Sequence, residues 1–163
     1  MDSQWRDYWA STVGSIVALV EVLLWPVVGF GDVTWLVVVG IALLATGTVF
    51  VVVPIFQLRR QGDVADGESF VNTAALVDSG LYGVVRHPQY VGLLMCIIAV
   101  MFIAQSWIVV LVGAVSIALL ALDFPKVDAD EGAKFGDAYR EYMRRVPGWN
   151  PMAGIWRSVR RTS

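Results

Sequence analysis

Cysteine and histidine are almost absent from this 163-residue chain, which contains one of each, Cys96 and His87. A single cysteine excludes a disulfide framework and a cysteine-based metal site. Charged residues are also scarce, since they make up 16% of the chain against about 25% in average soluble domains. With 57% of residues hydrophobic, this scarcity excludes an ordinary soluble domain. It indicates a single polytopic membrane domain, 1–163, with little mass outside the bilayer.

Three long apolar runs take the place of the missing charges: Thr12 to Phe30, Val33 to Phe56 and Tyr90 to Leu122. About 20 helical residues cross the hydrocarbon core of a membrane, so each of the first two runs predicts one span. The third run would form a helix of about 50 Å, too long for one crossing of about 30 Å. We therefore expect a tight hairpin of two helices that turns near Gln105–Trp107. The predicted fold is an all-α integral membrane protein with about four transmembrane helices.

The remaining segments are predicted to lie in the cytoplasm. The expected order is a cytoplasmic N-terminus (1–11), two spans (12–56), a cytoplasmic loop (57–87), the helical hairpin (88–124) and a cytoplasmic C-terminal helical segment (125–163). The hairpin is expected to end at Asp123-Phe124-Pro125, because proline disfavours continuation of a helix. Within the last segment, 128–145 has the apolar spacing of a charged helix.

The distribution of lysine and arginine predicts the orientation. One of these residues precedes the first span, three lie between the second and third, and eight follow the fourth, which accounts for all 12. None lies in the two turns on the opposite side. By the positive-inside rule, both termini are cytoplasmic. We thus expect an integral protein of the cell inner membrane. Its expected partners are the lipid bilayer and a lipophilic small molecule, and no nucleic acid is expected to bind.

The stretch from Gly80 to Gly92 concentrates chemistry at the edge of an apolar run. It reads Gly-Leu-Tyr-Gly-Val-Val-Arg-His-Pro-Gln-Tyr-Val-Gly. Pro88 suits the first turn of a helix, and the residue before it should be extended. Arg86, His87 and Tyr90 should then lie together at one membrane–water boundary. A helix start with an interfacial tyrosine anchor would also explain this pattern.

The pattern Gly-x-Tyr-x-x-x-Arg-His-Pro-x-Tyr-x-Gly resembles the signature of the isoprenylcysteine carboxyl methyltransferase and phospholipid methyltransferase superfamily. Those are small membrane enzymes that use S-adenosylmethionine. A related pattern occurs in membrane sterol reductases, which use NADPH. The C-terminal part also resembles the methyltransferases, and its matching elements are Asp130-Glu131, Phe135-Gly136, Tyr139-Arg140-Glu141-Tyr142 and Val146-Pro147. The resemblance covers 80–151.

This resemblance implies a set of site residues. Those implied to bind S-adenosylmethionine are Leu81, Tyr82, Arg86, His87, Tyr90, Asp130 and Glu131, and those implied to be catalytic are Arg86, Glu131 and Tyr139. Arg144 and Trp149 are candidates for contact with the substrate, and no metal is implied. The acidic pair usually lies farther upstream of the Phe-Gly, so the acidic cofactor ligand could be Asp128, Asp130 or Glu131.

Glu21 lies in the middle of the first predicted span. A carboxylate at that depth costs a few kcal/mol and usually faces the interior of the helix bundle. It could handle a substrate or a proton, or it could be a structural hydrogen-bonding residue between helices.

Three hypotheses on function follow. The first is a methyltransferase that moves a methyl group from S-adenosylmethionine to a lipophilic acceptor: a prenylcysteine-like carboxylate, a phospholipid amine or a thiol. The second is an NADPH-dependent reductase of a sterol or isoprenoid double bond, although 163 residues leave little room for a dinucleotide pocket. The third is a membrane scaffold without enzymatic activity.

Overall fold

The computed structural model describes residues 9–150 together with 152 and 156. Within 9–150 it contains five α-helices and one short 3₁₀ helix, and no β-strand. The α-helices are α1 (Trp9–Val28), α2 (Thr34–Gln61), α3 (Pro88–Ala104), α4 (Trp107–Phe135) and α5 (Asp137–Arg145), and the 3₁₀ helix is Gly80–Gly83. Most of the predicted N-terminal segment, 1–11, and most of the chain after 150 lie outside the described residues.

Three of these helices, α1, α2 and α4, are long and apolar enough to cross a membrane, with 20, 28 and 29 residues. The apolar helix α3 has 17 residues, which is the lower limit of spanning length. The prediction of an all-α membrane protein is confirmed. The four predicted spans correspond to these three long helices and the shorter α3.

The chain divides into two compact units. Unit 1 contains the described residues up to 47 and 94–128, and unit 2 contains those of 48–93 and 129 onward. The dividing points fall inside α2, α3 and α4, so each of these helices contributes to both units.

In unit 1, α1 packs antiparallel against α4 through small residues. The backbone N–H of Ser11 donates to Asp123 Oδ2 at 2.6 Å. Farther along α1, a Cβ at Gly14 would lie 3.3 Å from the Ser116 carbonyl oxygen, and near Glu21 a Cβ on Gly113 would lie 2.8 Å from Glu21 Oε1. Glycine at position 113 thus leaves room for the carboxylate of Glu21.

The turn between α3 and α4 confirms the predicted hairpin. It consists of Gln105 and Ser106, and Gln105 has a positive φ of 50°. The Gln105 side chain accepts a hydrogen bond from the Val33 N–H at 3.1 Å and donates one to the Val33 carbonyl at 3.0 Å. This amide fixes the turn to the start of α2, within unit 1.

Two helices extend beyond their predicted ends. Helix α4 continues through Pro125 to Phe135, so the hairpin does not end at Asp123–Pro125. The Asp123 carboxylate is buried, and Lys126 Nζ lies 2.8 Å from it, so its charge is compensated within the helix. Helix α2 likewise continues through Pro54 to Gln61, so the first residues of the predicted loop 57–87 are helical. Each proline costs one backbone hydrogen bond, but its φ near −65° is compatible with a helix.

Unit 2 has its own small core. The buried side chains of Tyr139, Tyr142 and Val146 pack together, with Leu76 and Phe135 against them. The chain between α2 and the 3₁₀ helix contains no helix over 62–79. Its backbone is anchored where the N–H groups of residues 74 and 75 donate to the carbonyl oxygen of residue 62 at 2.8 and 3.0 Å.

Candidate functional site

The Gly80–Gly83 3₁₀ helix holds the first residues of the motif, and the end of α2 supports it. Gly80 has a φ of +58°, and a Cβ there would overlap the side-chain amide of Gln57. The Leu81 N–H donates to Gln57 Oε1 at 3.3 Å, and the Ser79 hydroxyl donates to Gln61 Oε1 at 2.7 Å. Glycine is needed at position 80 both for the left-handed backbone and for the close approach.

The next part of the motif pairs with the segment that follows α5. The Arg86 N–H donates to the Pro147 carbonyl at 2.9 Å, and the His87 N–H donates to the Gly148 carbonyl at 3.1 Å. His87 lies outside α3, as expected for a residue before proline, and its N–H is directed to Gly148. Two hydrogen bonds thus join stretches about 60 residues apart in the sequence.

Two tyrosines strengthen this connection. The Tyr142 hydroxyl, on α5, donates to the Tyr82 carbonyl at 2.6 Å. Tyr142 is 2% exposed and Tyr82 9%. The ring of Tyr139 meets that of Tyr142 edge to face, with 5.7 Å between their centroids. The aromatic residues of the Tyr-x-x-Tyr element therefore bury the backbone of the first motif.

Charged groups surround the buried tyrosines. Burial raises the pKa of Tyr82 above its usual value, and the nearby Glu131 carboxylate raises it further. Burial also raises the pKa of Tyr142, and the positive charge of Arg86 partly opposes this increase. The charges of Glu131 and Arg86 therefore act on the two tyrosines in opposite directions. Because burial raises the pKa of both tyrosines, both remain neutral at physiological pH.

His87 and Tyr90 form a second aromatic contact at the start of α3. Their ring centroids are 6.2 Å apart, and the ring planes lie at 78° to each other. His87 is 8% exposed, and Tyr90 is half-buried. The backbone of His87 is thus fixed by Gly148, and its ring contacts Tyr90.

Gly136 separates α4 from α5 and explains the Phe-Gly element. Its backbone has φ 58° and ψ −129°, a conformation that is essentially restricted to glycine. No atom lies within 4 Å of the position of a Cβ, so the requirement is conformational. This residue ends the helix that carries Glu131 and starts the one that carries Tyr142.

Comparison with known proteins identifies the family. The family model described as phospholipid methyltransferase matches residues 35–125, more than half of the chain. The chain belongs to the phospholipid methyltransferase family. The matched region includes the Gly80–Gly92 motif, whereas the C-terminal elements from Asp130 onward lie beyond it.

A curated relative agrees with this family. The protein-S-isoprenylcysteine O-methyltransferase of Schizosaccharomyces pombe is 28% identical over 106 residues, which cover 58% of this chain and 44% of that protein. The chain therefore spans less than half of the length of this relative. No solved structure matches the chain.

Several of the site residues predicted for this member of the phospholipid methyltransferase family belong to unit 2. Tyr82 accepts the Tyr142 hydroxyl through its carbonyl, and the charges of Glu131 and Arg86 influence this tyrosine pair. His87 and Tyr90 lie next along the motif. Leu81 is half-buried in the 3₁₀ helix, and Tyr139 is 2% exposed in the small core.

Other predicted residues are more exposed or belong to unit 1. Asp130 is exposed and Asp128 is half-buried, while the side chain of Arg144 is 75% exposed, 3.6 Å from Glu141. Trp149 is exposed as well. Glu21 belongs to unit 1, where it is fully buried and neither carboxylate oxygen has a hydrogen-bond partner.

The polar contacts that α2 and α5 make beside the motif were not predicted from the sequence. Gln57 contacts the 3₁₀ helix, Gln61 contacts Ser79 directly before it, and Arg145 Nη2 lies 3.2 Å from Asp78 Oδ2. The spacing of the two glutamines was a usable signal, since residues four apart share one face of a helix.

Proposed function

We propose that this protein is an integral membrane methyltransferase that transfers a methyl group from S-adenosylmethionine to a lipophilic acceptor. The family match favours methyl transfer over reduction. The observation that carries the proposal is the pairing of Arg86 and His87 with Pro147 and Gly148. Because of this pairing, both halves of the methyltransferase-like pattern contribute to one site in unit 2.

The residues of that site fit the chemical groups of S-adenosylmethionine. Its ribose hydroxyls need a carboxylate acceptor, and its carboxylate needs a cation or backbone N–H groups. Glu131 and Arg86 have those charges, and each influences the pKa of one tyrosine of the buried pair. We assign Glu131 as the acidic ligand in preference to Asp128 and Asp130, because Glu131 is half-buried in unit 2, whereas Asp130 is exposed and Asp128 belongs to unit 1.

The other residues shape and close the site. We assign Leu81, Tyr82 and Tyr90 to the wall for the adenine and His87 to the carboxylate end of the cofactor. Tyr139, which the resemblance places among the catalytic residues, is packed in the core and holds Tyr142 in place. Arg144 and Trp149 are exposed and are available to contact an acceptor.

In the proposed mechanism the bound cofactor supplies an activated methyl group, and the product is S-adenosylhomocysteine. The residues of the chain orient the two reactants and exclude water. Tyr82 and Tyr142 stay protonated, because burial raises the pKa of both, so neither acts as a base, and the Tyr142 hydroxyl remains the donor to the Tyr82 carbonyl. In the proposed mechanism the acceptor brings its own nucleophile, such as a carboxylate, an amine or a thiolate.

The orientation in the membrane follows from the charge distribution. Both termini and the Arg86–His87 segment face the cytoplasm in the proposed arrangement, because lysine and arginine avoid the two turns on the other side. The cofactor would then enter from the cytoplasm, and the lipophilic acceptor would enter from the cell inner membrane. The acceptor classes remain a prenylcysteine-like carboxylate, a phospholipid amine and a thiol.

Calorimetric titration of the detergent-purified protein tests this function. We expect micromolar binding of S-adenosylhomocysteine and no binding of NADPH. Arg86→Gln and His87→Ala should each weaken the binding, and Arg59→Gln should not, because Arg59 is exposed on the last turn of α2. Binding of NADPH would instead favour the reductase hypothesis, and binding of neither would favour a scaffold.

A further inference from the structure

Two glutamines at the end of α2 form hydrogen bonds with residues at the start of the motif. Gln57 and Gln61 lie four residues apart in the last two turns of α2 and so share one face. Gln57 Oε1 accepts the Leu81 N–H at 3.3 Å, and Gln61 Oε1 accepts the Ser79 hydroxyl at 2.7 Å. Both bonds end on the residues that flank Gly80.

Gly80 makes this contact close. Its φ of +58° turns the chain over the Gln57 side chain, and a Cβ at this position would overlap the amide group. The 3₁₀ helix Gly80–Gly83 then continues with hydrogen bonds from the N–H groups of Val84 and Val85 to the Leu81 carbonyl at 3.1 and 3.0 Å. The position of Leu81 is thus set from one side by Gln57 and from the other by its own turn.

We infer that Gln57 is a positioning residue for cofactor binding, with Gln61 as its weaker companion. This inference rests on the proposed function, which assigns Leu81 and Tyr82 to the cofactor. The N–H of Leu81 is a donor at the start of a single 3₁₀ turn, where the backbone itself supplies no acceptor. The Gln57 oxygen supplies that acceptor and fixes the register of Tyr82, whose carbonyl accepts the Tyr142 hydroxyl.

Gln57 should matter more than Gln61 because of burial and the type of bond. Gln57 is half-buried and binds a backbone group, whereas Gln61 is exposed and binds a hydroxyl that water can also satisfy. Removal of the Gln57 acceptor leaves the Leu81 N–H without its partner, and a lost hydrogen bond of this kind corresponds to about a tenfold change in binding.

The test compares Gln57→Leu with two variants. Gln57→Glu keeps an acceptor oxygen at the same place and should restore binding. Gln105→Leu removes a glutamine that also binds backbone groups, those of Val33, but in unit 1, so it controls for a general loss of stability. Each variant is purified in detergent, and three quantities are measured: the melting temperature, the affinity for S-adenosylhomocysteine, and the hydrogen–deuterium exchange of peptides covering 79–83.

We expect Gln57→Leu to weaken the affinity for S-adenosylhomocysteine about tenfold and to accelerate exchange at the Leu81 amide. Gln57→Glu should resemble the wild type in both measurements, and Gln61→Leu should show a smaller effect. Gln105→Leu should lower the melting temperature without changing the affinity.

Two results would overturn the inference: unchanged affinity and exchange in Gln57→Leu, or equal losses of affinity in Gln57→Leu and Gln105→Leu. If the wild type does not bind S-adenosylhomocysteine, the proposed function is wrong and the assignment to the cofactor is lost with it. The exchange of the Leu81 amide still decides in that case whether Gln57 holds the turn.

Discussion

Two buried polar side chains, Tyr142 in unit 2 and Glu21 in unit 1, differ in whether they have a hydrogen-bond partner. Tyr142 in unit 2 is 2% exposed, and its hydroxyl donates to the Tyr82 carbonyl at 2.6 Å. Glu21 in unit 1 is 0% exposed, and both of its carboxylate oxygens lack a hydrogen-bond partner. Similar burial therefore has opposite consequences for the free energy of unfolding, since a satisfied polar group stabilises and an unsatisfied one costs free energy.

This difference reflects how each unit is built. The contact of α1 with α4 in unit 1 depends on close approach at Gly14 and Gly113, and small residues of this kind allow tight helix packing in membranes. Unit 2 depends on hydrogen bonds that join separate stretches of the chain, such as those from Arg86 and His87. Hydrogen bonds in unit 2 thus hold particular backbone groups of the motif in place.

The largest effect is expected from Tyr142→Phe. The substitution removes the donor to the Tyr82 carbonyl and leaves that buried oxygen unsatisfied, which should lower the free energy of unfolding by about 2–3 kcal/mol. The melting temperature of the detergent-solubilised protein measures the loss. Ser116→Ala is the counterpart in unit 1, where the buried hydroxyl has no hydrogen-bond partner, and it should be close to neutral. Equal losses in the two variants would contradict the comparison.

Glu21→Leu should raise the free energy of unfolding, in contrast to Tyr142→Phe. It replaces two unsatisfied buried oxygens by an apolar side chain of similar size, so we expect a gain of about 1–2 kcal/mol in the free energy of unfolding. The exposed Glu141→Leu, in unit 2, serves as the control. A fall in the melting temperature of Glu21→Leu would show that the carboxylate is satisfied in the folded protein. If the variant is more stable but less active, Glu21 contributes to the acceptor site.

Alkaline pH should destabilise unit 2 through its tyrosines. Burial raises the pKa of Tyr82 and Tyr142, so above about pH 10 the unfolded chain loses these protons first. The stabilisation is complete below that pH and is lost as the pH rises, by about 1.4 kcal/mol per pH unit for each tyrosine. Melting curves between pH 8 and 11 measure the slope. The slope of Tyr142→Phe should be shallower, and an unchanged slope would mean that Tyr142 does not contribute.

The smallest effect is expected at the surface of unit 2. Arg145→Gln breaks the 3.2 Å contact with Asp78, but the two side chains are 43% and 44% exposed. Such pairs contribute about 0.2–1 kcal/mol and are screened by salt. A double-mutant cycle with Asp78→Asn gives the coupling energy. A coupling well above 1 kcal/mol would show that this contact, and not only the buried bond of Tyr142, holds α5 to the motif.

Much of the fold could be predicted from the apolar runs, because length and hydropathy alone limit what can cross a bilayer. The hairpin turn at Gln105 was predicted for the same reason. The end of α4 was not, because Asp123 and Pro125 normally favour a helix end. In the structure the helix continues, and Ser11 and Lys126 satisfy the Asp123 carboxylate. Ser11 lies 112 positions from Asp123, so this contact could not be predicted from the local sequence.

The sequence by itself determined the membrane class, the charge asymmetry along the chain and the motif types around Arg86 and Glu131. These properties follow from composition and from local backbone preferences, such as the extended conformation of the residue before a proline. Only the tertiary structure decided which oxygen each donor reaches: Pro147 and Gly148 for the motif backbone, Tyr82 for Tyr142 and Gln57 for Leu81. The physical reason is that a hydrogen bond depends on distances of a few tenths of an ångström between distant parts of the chain.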